Sequence, residues 1–287
     1  MFWQIFVNGL IAGAIYALVA SGFSLIYSIC KFVHFAHGAS IAVSAYILYS
    51  LFSLLGLNFW VSVILTIIFA GLFGLLLNFI YKQLRKRKAS NVILLIASFT
   101  LLILFEALIL LFFGADVKTI GFIKIAKGLE ILGAIITPLQ IFIVICSFVL
   151  FILLFFLMRK TKIGKTMRAV SDNKDVAEIV GISSEKIYKW SFVIGSAIAG
   201  IGGILVGLEQ NLEPMMGTNL MIKGFTAAII GGIGNVPGAI LGSFLLGFAE
   251  NFGIWFLPSG YKDAIAFTLL FIFLLVRPRG ILGLRKQ

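Results

Sequence analysis

Long apolar runs separated by short charged ones dictate what this chain can become. Stretches 4–29, 35–55, 58–80, 91–113, 138–158, 188–208 and 262–276 hold scarcely a charge. Most approach or exceed the roughly 20 apolar residues that cross a bilayer core. Lipid offers no water to pair with a backbone amide, so each run must satisfy itself as a helix. The expected fold is an all-α integral membrane protein, a polytopic helical bundle. Charged side chains make up 12% of the chain, against about 25% in a soluble domain, which leaves too little polar surface to face water. The 29 Phe and 30 Gly agree: Phe fills lipid-facing and core positions, and Gly lets helices approach closely.

A net charge of +12 in a soluble protein suggests nucleic acid or another anionic partner. Here 17 of the 23 Lys and Arg lie in 82–88, 159–189 and 277–286, between or after apolar runs. They read as cytoplasmic loops under the positive-inside rule, with no nucleic-acid patch. Lys31 then falls inside, while Lys118, Lys124, Lys127, Lys223 and Lys262 fall outside. The N-terminus is outside, the C-terminus inside, and the number of crossings odd: nine, or seven plus a re-entrant pair. The opening Met-Phe-Trp-Gln lacks the basic region of a cleaved signal and reads as a retained first helix. Segment 114–137 reads as an external loop of mixed charge, too short to fold alone. Cys30 and Cys146 lie in apolar runs, and with His34 and His37 they show neither a metal spacing nor a disulfide framework.

An eighth apolar run, 221–252, is broken by Gly231-Gly232-Ile233-Gly234-Asn235-Val236-Pro237-Gly238. A regular helix cannot continue through it. At membrane depth such backbone is tolerated only where protein or a watery cavity surrounds it, so two half-helices or a re-entrant pair lining the interior are expected. A loop between two short spans is the alternative. Small residues recur at every fourth position as Gly9, Gly13, Ala17 and Ser21, and again as Gly195, Ala199, Gly203 and Gly207. Each set lies on one helix face, where backbones can touch.

The most informative polar stretch is 159–187. Its Gly164-Lys165-Thr166 is no Walker A motif, because Arg159 stands where the first Gly is needed and an apolar helix precedes it. Its second half predicts a helix of about nine residues, capped by Ser171 or Asp172 and ended by Gly181. Val176, Ala177, Ile179 and Val180 supply its apolar face. So short a helix is unstable alone and must dock, either on its own membrane helices or in a partner's groove.

The segment Arg168-Ala169-Val170-Ser171-Asp172-Asn173-Lys174-Asp175-Val176-Ala177-Glu178-Ile179-Val180-Gly181-Ile182 resembles the coupling segment of branched-chain amino acid ABC importer permeases of the LivH type. Four more blocks match in order. They are Asn8-Gly9-Leu10 with Gly13-Ala14-Ile15-Tyr16-Ala17-Leu18, Phe35-Ala36-His37-Gly38, Lys223 to Ala239, and Arg277-Pro278-Arg279-Gly280-Ile281-Leu282-Gly283. The chain departs from the usual pattern at His34 and Ser44. The resemblance implies one permease domain over 1–287, with a cytoplasmic coupling loop at 159–187, in the bacterial cytoplasmic membrane. It implies a second permease of the LivM type, two ABC ATPase subunits that hold the ATP and Mg, and an external binding protein. The chain itself would carry no cofactor and catalyse nothing. Within the coupling segment Arg168, Asp172, Asp175, Ala177, Glu178 and Gly181 are the candidate ATPase-coupling residues. Asn8, Tyr16, His37, Gly38, Thr226, Gly232, Gly234 and Asn235 are candidates for the translocation path or gate.

Among polar residues within apolar runs, Glu106 reads first as a structural hydrogen-bonding group. A proton-relay role would instead point to an ion-coupled secondary transporter. Glu250, near the end of the broken run, reads as interfacial. His37 reads as a helix-end group bonded to the first helix, and Asn8 and Asn235 as partners for backbone exposed at helix interruptions. Urea, amides and other amino acids are alternative cargoes of the same architecture.

Overall fold

A computed structural model describes residues 1–122, 128–131 and 133–283. Lys124, Lys127, Arg285 and Lys286 of the charge reading above lie outside the described residues. In chain order the helices are α1 (Phe2–Cys30), α2 (His37–Tyr49), α3 (Phe59–Lys86), α4 (Asn91–Phe113), α5 (Pro138–Lys160), α6 (Lys162–Asp172), α7 (Lys174–Ile179), α8 (Ser184–Glu209), α9 (Met216–Gly231), α10 (Val236–Gly253) and α11 (Lys262–Val276). Between α4 and α5, β1 (Leu129–Ile131) and β2 (Ala134–Ile136) pair antiparallel. This hairpin lies in the segment expected to be plain loop. The apolar runs thus became helices, and the starts follow local chemistry. Asn58 and Ser90 cap α3 and α4 through their side chains, and Thr137 and Gln140 close a reciprocal capping box on α5 behind Pro138.

The bundle has an inner and an outer set. In α1 83% of the apolar window is buried within the chain, whereas in α11 only 6% is. α1, α2, α8, α9 and α10 form the interior. α3, α4, α5 and α11 present Ile, Leu and Phe outward, including Phe79, Phe112, Phe155 and Phe271. The two small-residue ladders lie between inner helices, as expected. Gly9 and Gly13 meet α10 at Phe248, Phe244 and Gly247; Gly195 meets α1, and Gly203 meets the backbone of Ile41 on α2.

The helices define two ends. At one end, Ser171 of α6 donates to the carbonyl of Ser28 at 2.9 Å, and Arg85 of α3 pairs with Glu185 of α8 at 3.2 Å. Here too the 277–283 tail lies against the break between α9 and α10. At the other end, Gln4 exchanges two hydrogen bonds with Ile135 of the hairpin, and the ring of Phe2 packs at a tilt against Phe252. The basic segments therefore share the first end, opposite Phe2, in keeping with the charge reading. Lys223 departs from it. It was counted with the external lysines, but it lies within α9 with its ammonium group largely buried.

α9 and α10 meet at 113°. A re-entrant dip would leave the break at mid-depth. Instead Gly234 packs on Tyr27 and Ser28 at the end of α1, and α10 then runs back along α1 to Phe252. The break therefore reaches the end that carries the basic loops. The tail closes it: Ile281 and Leu282 donate to the carbonyls of Ile230 and Gly231, each at 2.9 Å. These carbonyls belong to the last turn of α9, which has no helical partner for them. Placed at exposed Pro237 in a chain with Cys30 and Cys146 replaced by Ala, a cysteine should react with an impermeant thiol reagent added from the side of the basic loops. Labelling from the opposite side alone would show that the break faces the other way.

A second interruption, between the runs 4–29 and 35–55, is longer than the hydropathy pattern shows. The run 35–55 read as one span, but α2 begins only at His37, beside Val19 of α1. Val19 lies about 16 Å along α1 from Cys30, at 1.5 Å per residue. Residues 31–36 therefore climb from the end of α1 into the interior as irregular backbone, with turn bonds only at its upper end, from His37 to His34 and from Gly38 to Phe35. Their polar backbone is met by side chains: Asn91 donates to the carbonyl of Lys31, and Ser98 donates to that of Val33 and accepts from the amide of Phe35. Irregular backbone survives here because protein surrounds it.

Candidate functional site

Three groups of candidate residues sit along α1, which acts as their common axis.

The first group is the loop at 159–187, expected from the sequence to be the coupling loop. The sequence placed one helix here, beginning at Ser171 or Asp172. The structure has two, and both cap assignments shift. Thr161 caps α6 through the amide of Gly164, and Ser171 and Asp172 form the last turn of α6. Asn173, with φ −150° and ψ 110°, leaves the helical region and caps α7 through the amide of Val176. An Asn at this point offers an acceptor that neither upstream residue can aim once α6 has formed. α6 buries Met167 and Val170 among Leu25, Ile29, Leu154 and Tyr188. Arg168 donates to the carbonyl of Met158, tying α6 to the end of α5.

α7 turns the other way. Only Ala177 is buried, whereas Val176, Ile179 and Val180 are 54%, 83% and 69% exposed. Asp172, Asp175 and Glu178 surround these apolar tips and are exposed as well. Glu178 accepts from the hydroxyl of Ser184 at the start of α8. Gly181, at φ +85°, ends the unit, and Ile182 donates back to Ala177 at 2.9 Å. This left-handed closure is why glycine stands there. The loop is thus a wedge. Its base is seated on α1, α5 and α8, and its tip carries an uncovered apolar patch.

The second group lies deeper. His37 approaches the carbonyl of Val19 at 3.2 Å, in line with the expected bond to the first helix. Gly38 packs against the backbone of Gly217, so α2 and α9 touch there without side chains between them. Thr226 is buried on α9, and its hydroxyl has no partner among the described residues. At the break, Gly232 and Gly234 adopt φ +115° and +82°, a region open to glycine and strained for other residues. Asn235 bonds exposed backbone as expected, accepting from Gly238 at 3.2 Å and donating to Leu282 at 2.6 Å. Asn8 does not. It lies in an uninterrupted part of α1 and accepts from Gln4 at 3.1 Å.

The third group was missed by the sequence reading except for Tyr16. Glu250 is not interfacial; it is fully buried. Its carboxylate accepts from Tyr16 at 2.8 Å and pairs with Lys223 at 2.6 Å. Lys223 also reaches Asp263 of α11 at 2.7 Å. Four helices are joined by one polar cluster. Its signal in the sequence was two opposite charges, Lys223 and Glu250, inside one apolar run. Separated by 27 positions, they could be recognised as partners only once the break was known to fold that run back on itself. Among the described residues, no three His, Cys, Asp or Glu gather as for a metal ion.

The fold and the seated wedge define a class: a multi-pass permease built of discontinuous helices. The family model for the permease component of branched-chain amino acid transport systems matches residues 5–274. The chain belongs to that family. It is 33% identical to the high-affinity branched-chain amino acid transport system permease protein BraD of Pseudomonas aeruginosa, over 98% of this chain and 95% of the relative. It is 32% identical to LivH of Salmonella typhimurium, a permease protein of the same description, over 98% and 96%. In fold it resembles the solved PsaBC of Streptococcus pneumoniae, with a TM-score of 0.52 over 95% of this chain and 91% of that one, at 15% identity.

Proposed function

We propose that residues 1–287 form one permease domain of an ATP-driven importer for branched-chain amino acids, in the bacterial cytoplasmic membrane. The observation that carries this is the wedge at 161–182, whose apolar tip is exposed and whose base holds the end of α1. In this reading the basic loops, α7 and the C-terminal tail are cytoplasmic. The tip of α7 seats in one of two ABC ATPase subunits, which hold ATP and Mg; this chain hydrolyses nothing and binds no cofactor. A second permease of the LivM type completes the membrane path, and an external binding protein delivers leucine, isoleucine or valine. Closure of the ATPases pushes the wedge. The Ser171–Ser28 contact then carries that displacement into α1, along which His37, the break and the Tyr16–Glu250 cluster are arranged. The movement shifts a two-state equilibrium between outward and inward openings.

Replacing Ile179 and Val180 together by Asp should leave an inserted, folded permease, because both side chains are already exposed. ATPase subunits should no longer co-purify with it, and ATP-dependent leucine uptake should be lost. Full co-purification with full uptake would remove the wedge from the coupling pathway. Uptake of urea or an amide in place of leucine by the wild-type complex would keep the architecture and change the cargo.

A further inference from the structure

Glu106 has no place in the coupling wedge or in the Lys223 cluster, yet it is a carboxylate within an apolar helix. It lies about 10 Å below the Phe113 end of α4, at 1.5 Å per residue. Thr218 of α9 donates to its Oε1 at 2.5 Å, which orients the group without neutralising it. No salt bridge reaches it among the described residues. The residue is only half-buried, and it faces an open groove of roughly 540 Å³ between α4 and the approach to α9. Ile103, Leu110 and Met215 line that groove with apolar surface, Asn219 and Glu213 add polar groups, and none of its lining residues is basic. A carboxylate facing lipid is costly, and intramembrane carboxylates face a cavity or a pathway.

We propose that Glu106 lies on the translocation path and receives the α-ammonium group of the passing amino acid, while Ile103, Leu110 and Met215 receive its branched hydrocarbon. This rests on the importer reading above. The lining matches that cargo in both parts: net negative charge for a cation, beside apolar surface for an aliphatic chain. A cargo without an ammonium group gains nothing from the carboxylate. Thr218 is a positioning residue that aims the carboxylate.

The test uses the complete complex with both permeases, the ATPases and the binding protein, reconstituted in proteoliposomes and supplied with labelled L-leucine. Glu106→Gln keeps an acceptor for Thr218 and removes the charge. Its kcat/KM for uptake should fall at least tenfold, Glu106→Asp should recover part of the loss, and Thr218→Val should cost no more than about threefold. A purely structural role removes this order, with Thr218→Val at least as harmful as Glu106→Gln. Wild-type kcat/KM in Glu106→Gln, or a loss in Thr218→Val that equals or exceeds that of Glu106→Gln, overturns the proposal. An independent measurement needs no change at Glu106. A cysteine at exposed Met215 should react at least tenfold faster with a cationic methanethiosulfonate than with an anionic one, and L-leucine should slow the reaction. Equal rates, unaffected by leucine, overturn the proposal as well. Absence of ATP-driven leucine uptake by the wild-type complex is a different failure. It sinks the importer reading itself, before any variant is compared.

Discussion

Glu250→Ala is expected to destabilise the membrane domain by roughly 3–5 kcal/mol, the cost of removing one partner from a buried ion pair. The Glu250 side chain is 1% exposed and that of Lys223 14%, so water cannot replace the lost carboxylate. Asp263 remains within 2.7 Å of Lys223, but its side chain is 74% exposed, and a solvated partner compensates weakly. The hydroxyl of Tyr16 is stranded at the same time, which adds a desolvation cost of about 1–3 kcal/mol if no water reaches it. Thermal unfolding of the purified chain in detergent measures the effect as a lowered Tm. The double variant Glu250→Leu with Lys223→Met should recover much of the stability, because a hydrophobic pair of similar volume often matches a buried ion pair. Restored stability with restored transport would make the cluster a structural clamp. Restored stability without transport would make it part of the moving machinery. A wild-type Tm for Glu250→Ala alone would show that the cluster is hydrated and holds the four helices together far less than its geometry implies.

Gly203→Val should be nearly as damaging. A Cβ on Gly203 runs into the carbonyl, carbonyl carbon and Cα of Ile41, all of them backbone. A flexible side chain could swing aside; here α2 and α8 must separate. Overpacking in a close-packed interior costs about 1–3 kcal/mol, and a backbone contact belongs at the upper end. Gly202→Ala on the same helix is the matched control, since its Cβ meets only Leu18 at an ordinary 3.6 Å. The Tm should fall for Gly203→Val and hold for Gly202→Ala. Equal shifts in the two would mean that the α2–α8 contact is not as tight as it is drawn.

Much of this molecule was legible before its coordinates. The seven apolar runs and the broken eighth became helices because lipid forbids anything else to a backbone without water. The small-residue ladders were readable for a related reason: a repeat of four on a helix makes a stripe, and a stripe of Gly and Ala exists to be touched. His37 and Asn235 were each assigned a kind of partner, and each found one. The candidate coupling residues came from the resemblance, and the fold then set Val176, Ile179 and Val180 outward. Asn8 went the other way. An Asn in an apolar run suggested a helix interruption, but a neighbouring Gln one turn earlier was enough to satisfy it.

Other features had no local signal. Lys31 and the gap between the runs 4–29 and 35–55 marked a break, but nothing local showed that residues 31–36 turn into the interior, where Ser98, Asn91 and Tyr81, brought from α3 and α4, meet them. Asn173 displaced Ser171 and Asp172 as the cap because α6 docks on α1 and continues through them, and docking is a tertiary event. The pairing of Lys223 with Glu250 depends on the break folding one run back on itself. The shortage of charge thus determined the solvent, the helices and, through the basic loops, which ends lie together. Tertiary structure decided which polar groups meet inside the bundle. Hydropathy is a property of each residue and accumulates along the chain, whereas an ion pair or a cap exists only between groups that folding has already brought within about 3 Å.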